Sequence, residues 1–286
     1  MGSVIARVLV VGALSGGIVA AYASRPKAAG TEDPVALQAD RTFRQAVASE
    51  DAAGAGRLLD AEFTWTDAAG KTWTRAQVLE NLPKPNIGDE ASARVTHRGY
   101  GQVWMIQAHS GKENVMRIWV KRRAGWRQLV YQEVTLLDAA PAVTTGKRGE
   151  CDNPCKSLPY EPKNQDEKDV LSSFMQLQTY TVSRDSANWG KYVAEEFSAA
   201  NSNSNQVLDK KGRMEDLTRN KMAGYVPMPA VSMRVFTFGD TAVLVSNHQP
   251  PQANAVHITR LWTKREGNWL EVASYQTRIQ DPPATP

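Results

Sequence analysis

Apolar positions along this chain are spaced first as in helices and then as in strands, and the whole succession occurs twice. Ala36, Ala39, Phe43, Ala46 and Val47 share one helical face behind Asp33-Pro34, which supply an N-cap and a first-turn proline. Val170, Phe174, Leu177 and Thr181, widened by Leu171 and Met175, repeat that stripe. A short second helix is predicted around Ala53 to Leu59, and again around Ala187 to Val193. A turn-rich hairpin then runs from Phe63 to Trp73, with Asp67 and Gly70 at its tip. Thr74-Arg75-Ala76-Gln77 is a capping box that opens a third helix, with Leu79 and Leu82 facing inward. Met214, Leu217 and Met222 stand in the equivalent place of the second half.

Beyond the helices the period becomes that of strands. Arg94–Thr96, Val103–Ala108, Val115–Lys121 and Arg127–Leu136 form one set, turning at Ala124-Gly125. Ser232–Phe238, Ala242–Asn247, Ala255–Thr263 and Trp269–Arg278 form the other. Helices followed by an antiparallel sheet predict the α+β class, with the helices on one sheet face. Val103-Trp104-Met105-Ile106 and Ala242-Val243-Leu244-Val245 are apolar on both faces, so each sheet needs a second cover. Packing of the two sheets on each other, as an intrachain pseudo-dimer, is the expected cover.

The repeat extends to identities. Arg117, Trp119, Lys121, Arg122 and Trp126 recur 143 residues later as Arg260, Trp262, Lys264, Arg265 and Trp269. Asp51 and Phe63 recur 134 residues later as Asp185 and Phe197. Tyr131-Gln132 aligns with Tyr275-Gln276 after a one-residue shift, and the run from Tyr100-Gly101 to His109 parallels Phe238-Gly239 to His248. Common ancestry of two domains, 34–140 and 166–281, is the simplest account.

Outside the domains, Val8 to Ala21 carries no charge and ends at Ala21-Tyr22-Ala23. This reads as a signal peptide over residues 1–23, cleaved after Ala23, with an uncleaved membrane anchor as the alternative. The expected location is periplasmic or secreted. In an oxidising compartment Cys151 and Cys155, the only cysteines, are expected to close a disulfide in the linker 141–165. A net charge of +4 spread over two domains is too mild to imply nucleic acid. The histidines lie far from the cysteines in sequence, and no metal or cofactor is expected.

Two helices, a short hairpin, a capped helix and a long sheet ending in R-x-W-x-K-R-x-x-x-W form a pattern with a known relative. It resembles the nuclear transport factor 2-like superfamily, which includes SnoaL-like cyclases and ketosteroid isomerases, and Phe63-Thr64-Trp65-Thr66-Asp67, Gly70 and the Thr74 helix resemble its uncharacterised, often exported branch. The resemblance covers nearly all of 34–138 and, more weakly, 166–280. It implies two tandem cones, each a curved sheet wrapped by about three helices around a pocket. The acid pair and tyrosine of the isomerases match no positions in this chain, so no catalytic residue is carried over.

Candidate residues keep two readings each. His109 and His248, at matching strand ends, suit a general base or a half-exposed cap. Asp67 suits a base or a turn former, and its counterpart Asn201 lacks the carboxylate. Arg117 and Arg260 can grip a carboxylate inside a cone or stack on Trp119 and Trp262. Trp65 and Trp104 can line a pocket or fill a core. The expected function is an exported, non-catalytic binding module that uses a cone or a sheet face for a small apolar or anionic ligand or an envelope protein. The alternative is a cofactor-independent isomerase or cyclase with a histidine or Asp67 as base. If one cone alone is functional, the first is expected, because the second has a degenerate tip, Asn201-Ser202-Asn203-Ser204-Asn205.

Overall fold

The computed structural model describes residues 33–138, 151–219, 228–250 and 253–280. The segment read as a signal peptide, Met222 and part of the linker lie outside these. In the first half, helix α1 (Pro34–Ala48) is capped by Asp33, whose carboxylate accepts from the Val35 and Ala36 amides. Short helix α2 (Ala52–Gly56), strands β1 (Leu59–Thr66) and β2 (Thr72–Thr74), and helix α3 (Arg75–Glu80) follow. The capping box at Thr74 and Gln77 is present. The half ends in β3 (Arg94–Tyr100), β4 (Val103–Ser110), β5 (Glu113–Arg122) and β6 (Gly125–Thr135).

The second half repeats the order. It runs α4 (Gln165–Ser183), α5 (Ser186–Trp189) with a single 3-10 turn, then β7 (Val193–Asn201) and β8 (Leu208–Asp209). Helix α6 (Lys210–Arg219) and strands β9 (Ala230–Thr237), β10 (Thr241–His248), β11 (Val256–Arg265) and β12 (Asn268–Arg278) complete it. The strand orders are β2-β1-β6-β5-β4-β3 and β8-β7-β12-β11-β10-β9.

Two expectations need correction. The sheets are mixed, because β1 runs parallel to β6 and β7 parallel to β12. The second helices are also shorter than predicted: Leu59 and Val193 already belong to strands, where each is buried.

Three apolar clusters divide the core. One lies under the first set of helices, with Phe43, Phe63, Trp65, Trp104, Trp119 and Tyr131. Another lies under the second set, with Phe174, Phe197, Trp262 and Trp269. The third joins residues of both sheets, among them Val103, Met105 and Ile118 with Val243, Leu261 and Tyr275. Alternation along β4 therefore sends Val103 and Met105 to the shared cluster, and Trp104 and Ile106 to the helical side. Polar links cross the same boundary: Gln107 Nε2 donates to Ser198 Oγ (2.6 Å) and Thr241 Oγ1 to the Tyr100 carbonyl (2.8 Å). Gln132 Nε2 donates to the Tyr275 carbonyl at 3.1 Å.

Each hairpin tip also reaches the residues just beyond the far sheet's last strand. The Gln280 amide donates to the Ala69 carbonyl (2.8 Å), and the Leu137 amide to the Ser204 carbonyl (3.2 Å). Gly70 makes the first of these contacts feasible. Its φ is +82°, and a Cβ there would lie 2.6 Å from the Ile279 Cα. Left-handed backbone costs a non-glycine residue roughly 1–2 kcal/mol, before the collision is counted. Gly70→Ala is therefore expected to destabilise the protein by at least about 1–2 kcal/mol in urea titration. Faster amide exchange at Gln280 is the accompanying local signature.

The linker carries the disulfide Cys151–Cys155. Between the two cysteines, Asn153 grips the first residue of β9 like a neighbouring strand. Its Nδ2 donates to the Ala230 carbonyl and its Oδ1 accepts from the Ala230 amide, both at 2.9 Å.

Candidate functional site

The first cone is organised by one charged residue. Arg117 lies on β5 with Trp119 two residues on, so both point to the helical side of the sheet. On α1, Asp40 falls between Ala36 and Phe43 on the buried face. Arg117 Nε donates to Asp40 Oδ1 at 2.7 Å and Nη2 to Oδ2 at 3.1 Å. The other edge of the guanidinium meets Glu90, from the loop before β3: Nη2 donates to Oε2 at 3.2 Å and Nη1 to Oε1. Trp119 Nε1 also donates to Asp40 Oδ1, at 3.0 Å. At the rim, Arg44 contacts both carboxylates, Asp40 at 3.2 Å and Glu90 at 3.4 Å, with its side chain 32% exposed.

Arg117 itself is 1% exposed. Burial alone would lower its affinity for the proton, but Asp40 and Glu90 outweigh that and raise it. Two cations and two carboxylates thus neutralise each other inside a largely apolar cone. Trp65 stacks on Tyr131 at 3.7 Å beside them, and Phe43 meets Trp119 edge-on at 6.2 Å.

The second cone solves the same problem differently. At the helical position matching Asp40 stands Phe174, and the Arg260 guanidinium lies 4.9 Å from its ring centre. The acid comes instead from β12. Glu271 pairs with Trp262 across the ladder, as Gln128 pairs with Trp119 in the first half. Arg260 Nε is 3.2 Å from Glu271 Oε1, yet that oxygen lacks a hydrogen bond of good geometry. Burial pushes Glu271 up to about 7, with Arg260 and Arg213 pulling the other way. Nearby, His248 Nδ1–H donates to the Met228 carbonyl (2.8 Å), which leaves Nε2 to accept from Ser246 Oγ at 2.9 Å. Burial and the charge of Arg260 push His248 down to about 3, so it stays neutral.

The sequence candidates separate accordingly. Trp65 and Trp104 are core residues of the first cone. Asp67 is the turn former: Oδ1 accepts from the Ala69 and Lys71 amides at 3.0 Å, and Oδ2 from Trp73 Nε1 at 3.2 Å. His109 and His248 do not correspond. The ladders match His109 with Asn247, since His109 opposes Asn114 and Asn247 opposes His257. The histidine and asparagine have exchanged strands, and both pairs hold a 2.9 Å bond. Arg117 and Arg260 are buried, so neither is an exposed stacking residue; Arg117 grips carboxylates and Arg260 lies over Phe174. Asp40, Glu90 and Glu271 are not among the sequence candidates, and Phe174 stands there only as a core residue of its helix. Asp40 had a signal, as a lone acid inside an apolar helical stripe; Glu90, in an irregular loop, had none.

A shallow groove of about 790 Å³ lies on the second half, bordered by Ser186, Asp209, Lys210, Met214 and Arg219. Its Lys210 is already tied to the Val193 carbonyl at 2.9 Å. Among the described residues no group of three His, Cys, Asp or Glu side chains could hold a metal ion.

No protein-family model and no curated protein matches this chain. Similar solved structures include a nuclear transport factor 2-like protein from Cytophaga hutchinsonii, with 18% identity over 41% of this chain and 99% of that one, TM-score 0.35. Another, from Shewanella baltica, has 11% identity over 41% and 96%, TM-score 0.33. A third, from Pseudomonas putida, has 13% identity over 39% and 85%, TM-score 0.34. Each half is of the α+β class, helices followed by a six-stranded mixed sheet, and these solved structures, each similar to about 40% of the chain, are nuclear transport factor 2-like proteins.

Proposed function

We propose that this chain is an exported, non-catalytic binding module that receives the carboxylate of a small ligand in its first cone. The observation that carries this is the double fork of Arg117, a buried guanidinium with carboxylate oxygens along both edges and Arg44 at the rim. Planar bidentate pairing is how arginine selects carboxylates over other groups. The sheet faces turned away from the helices meet each other in the shared cluster, which favours a cone over a sheet face and supports the intrachain pseudo-dimer. The disulfide fits an oxidising compartment. Among the described residues no helix is long and apolar enough to cross a membrane.

The test compares small acids with their own amides, such as benzoate with benzamide, in thermal unfolding. A ligand at a hundred times its Kd stabilises by about 2.7 kcal/mol. Acids are expected to raise Tm and amides to leave it unchanged, and Arg117→Lys, which keeps the charge but loses the fork, should abolish the difference. Equal shifts from acid and amide would overturn the reading.

One observation favours the enzymatic alternative, and it moves that alternative to the second cone. Glu271 is a buried acid held near neutrality, the range that suits a general acid or base. Asp67 is committed to its turn and His248 is held neutral, so neither suits that role as well.

A further inference from the structure

We infer that Glu90 is a built-in occupant of the carboxylate site, and that a ligand binds by exchanging its own carboxylate for that of Glu90. This rests on the carboxylate reading of the first cone and adds its regulation.

The two acids on Arg117 are held very differently. Asp40 is fixed within α1 and also accepts the Trp119 N–H, so it is part of the wall. Glu90 comes from residues 81–93, a stretch without helix or strand between α3 and β3. Its neighbours Gly88, Asp89, Ala91 and Ser92 are exposed. The stretch is anchored upstream, where Ile87 is buried and the Asn86 amide donates to Glu133 Oε1 at 2.9 Å. Downstream of that anchor, the stretch is held to the cone by the Glu90 side chain on Arg117 and Arg44 and by Ala93, which packs against the apolar cluster next to β3.

The seat is also reachable. Arg44, one-third exposed, touches Glu90 Oε2 from the solvent side, where an incoming anion would first meet a positive charge. Exchange of one carboxylate for another leaves the charge balance of Arg44, Arg117 and Asp40 unchanged, so no buried charge is stranded at the end point. A loop-borne acid is not a requirement of this fold: in the second cone the acid beside the arginine sits within the sheet, on β12.

The experiment is calorimetric titration of acetate, benzoate and succinate into the full chain and into Glu90→Gln, joined with amide exchange of residues 88–92 in the wild type. The expected result is at least tenfold tighter binding of one acid by the variant. In the wild type, saturation with that acid should release Glu90 and speed exchange at 88–92. Equal affinities with unchanged exchange would leave the carboxylate site standing and overturn the role of Glu90. Failure of a natively folded Glu90→Gln, judged by near-UV circular dichroism, to bind any of the acids would overturn the carboxylate reading itself. Should the variant not fold, exchange in the wild type decides: faster at 88–92 with acid supports the inference, and unchanged exchange overturns it.

Discussion

Arg117→Met is expected to lower the unfolding free energy by about 3–5 kcal/mol, the cost of leaving buried carboxylates without their cation. Asp40 and Glu90 both depend on this guanidinium, and their side chains are 5% and 7% exposed. Arg44 cannot replace it, because Arg44 sits at the rim and meets each acid at only one nitrogen. Methionine fills much of the arginine volume, so the loss would report charge more than cavity. Arg234→Met provides the contrast. Its partner Glu62 is more than half exposed and lies on the surface of the other half, so removal should cost about 0–1 kcal/mol. Urea titrations of both variants, with unchanged slopes, check the pair of values. Similar small losses for both would mean that water reaches Asp40 and Glu90 freely enough to solvate them without Arg117.

The second cone offers a way to separate the arginine from its particular partner. There the helix contributes Phe174 and the sheet contributes Glu271, whereas the first cone has Asp40 and Gln128 at those places. One negative charge has moved from helix to strand while the arginine stayed. This explains why Arg117 and Arg260 were easy to pair from sequence and their partners were not. The R-x-W-x-K-R motif is continuous along one strand, so identity alone reveals it. Partner residues arrive from other elements and carry no fixed spacing to the motif.

The same logic marks where the repeat was misaligned. Helix stripes, the capping box, the strands apolar on both faces and the α+β order were legible because each is written in local periodicity. Two alignments were not, and both failed by one residue. Identity aligns Tyr131 with Tyr275, but Tyr131 opposes Arg117 and its structural counterpart, opposite Arg260, is Ser274. Identity likewise aligns His109 with His248, but the ladders match His109 with Asn247. A slip of one residue in a strand moves a side chain to the opposite face. Tyr131 indeed lies in the first cone, while Tyr275 lies in the cluster between the sheets. Chemical identity was the wrong guide at those positions, and pairing register was the right one. The parallel β1–β6 pairing was hidden for a related reason: parallel and antiparallel partners show the same alternation along a single strand.

Glu271→Gln is expected to remove a contribution to stability whose pH dependence runs opposite to ordinary acid denaturation. Burial raises Glu271 from 4.5 to about 7, and Glu133 in the first half is raised likewise to about 7, chiefly by burial. Between those values the folded chain holds protons that the unfolded chain has released. Stability from these two groups is therefore fully present below about pH 4.5, falls as pH rises toward 7, and is flat above it. At about 1.4 kcal/mol per pKa unit, Glu271 alone costs on the order of 3 kcal/mol at pH 8. A glutamine cannot ionise, and the first cone already holds Gln128 at the matching ladder position. The variant should therefore gain stability relative to the wild type at pH 8 and show no gain at pH 4.5. His248 and His257, which burial pushes down to about 3 and about 4, act with the opposite sign between pH 4.5 and 6.5, so Glu271 is read from the difference between variant and wild type at each pH. Paired urea titrations at the two pH values measure this directly. A variant less stable than the wild type at pH 8 would show that the attraction between Arg260 and an ionised Glu271 exceeds the cost of burying it. The acid would then be a charged partner at neutral pH, and the general acid–base reading of the second cone would lose its support.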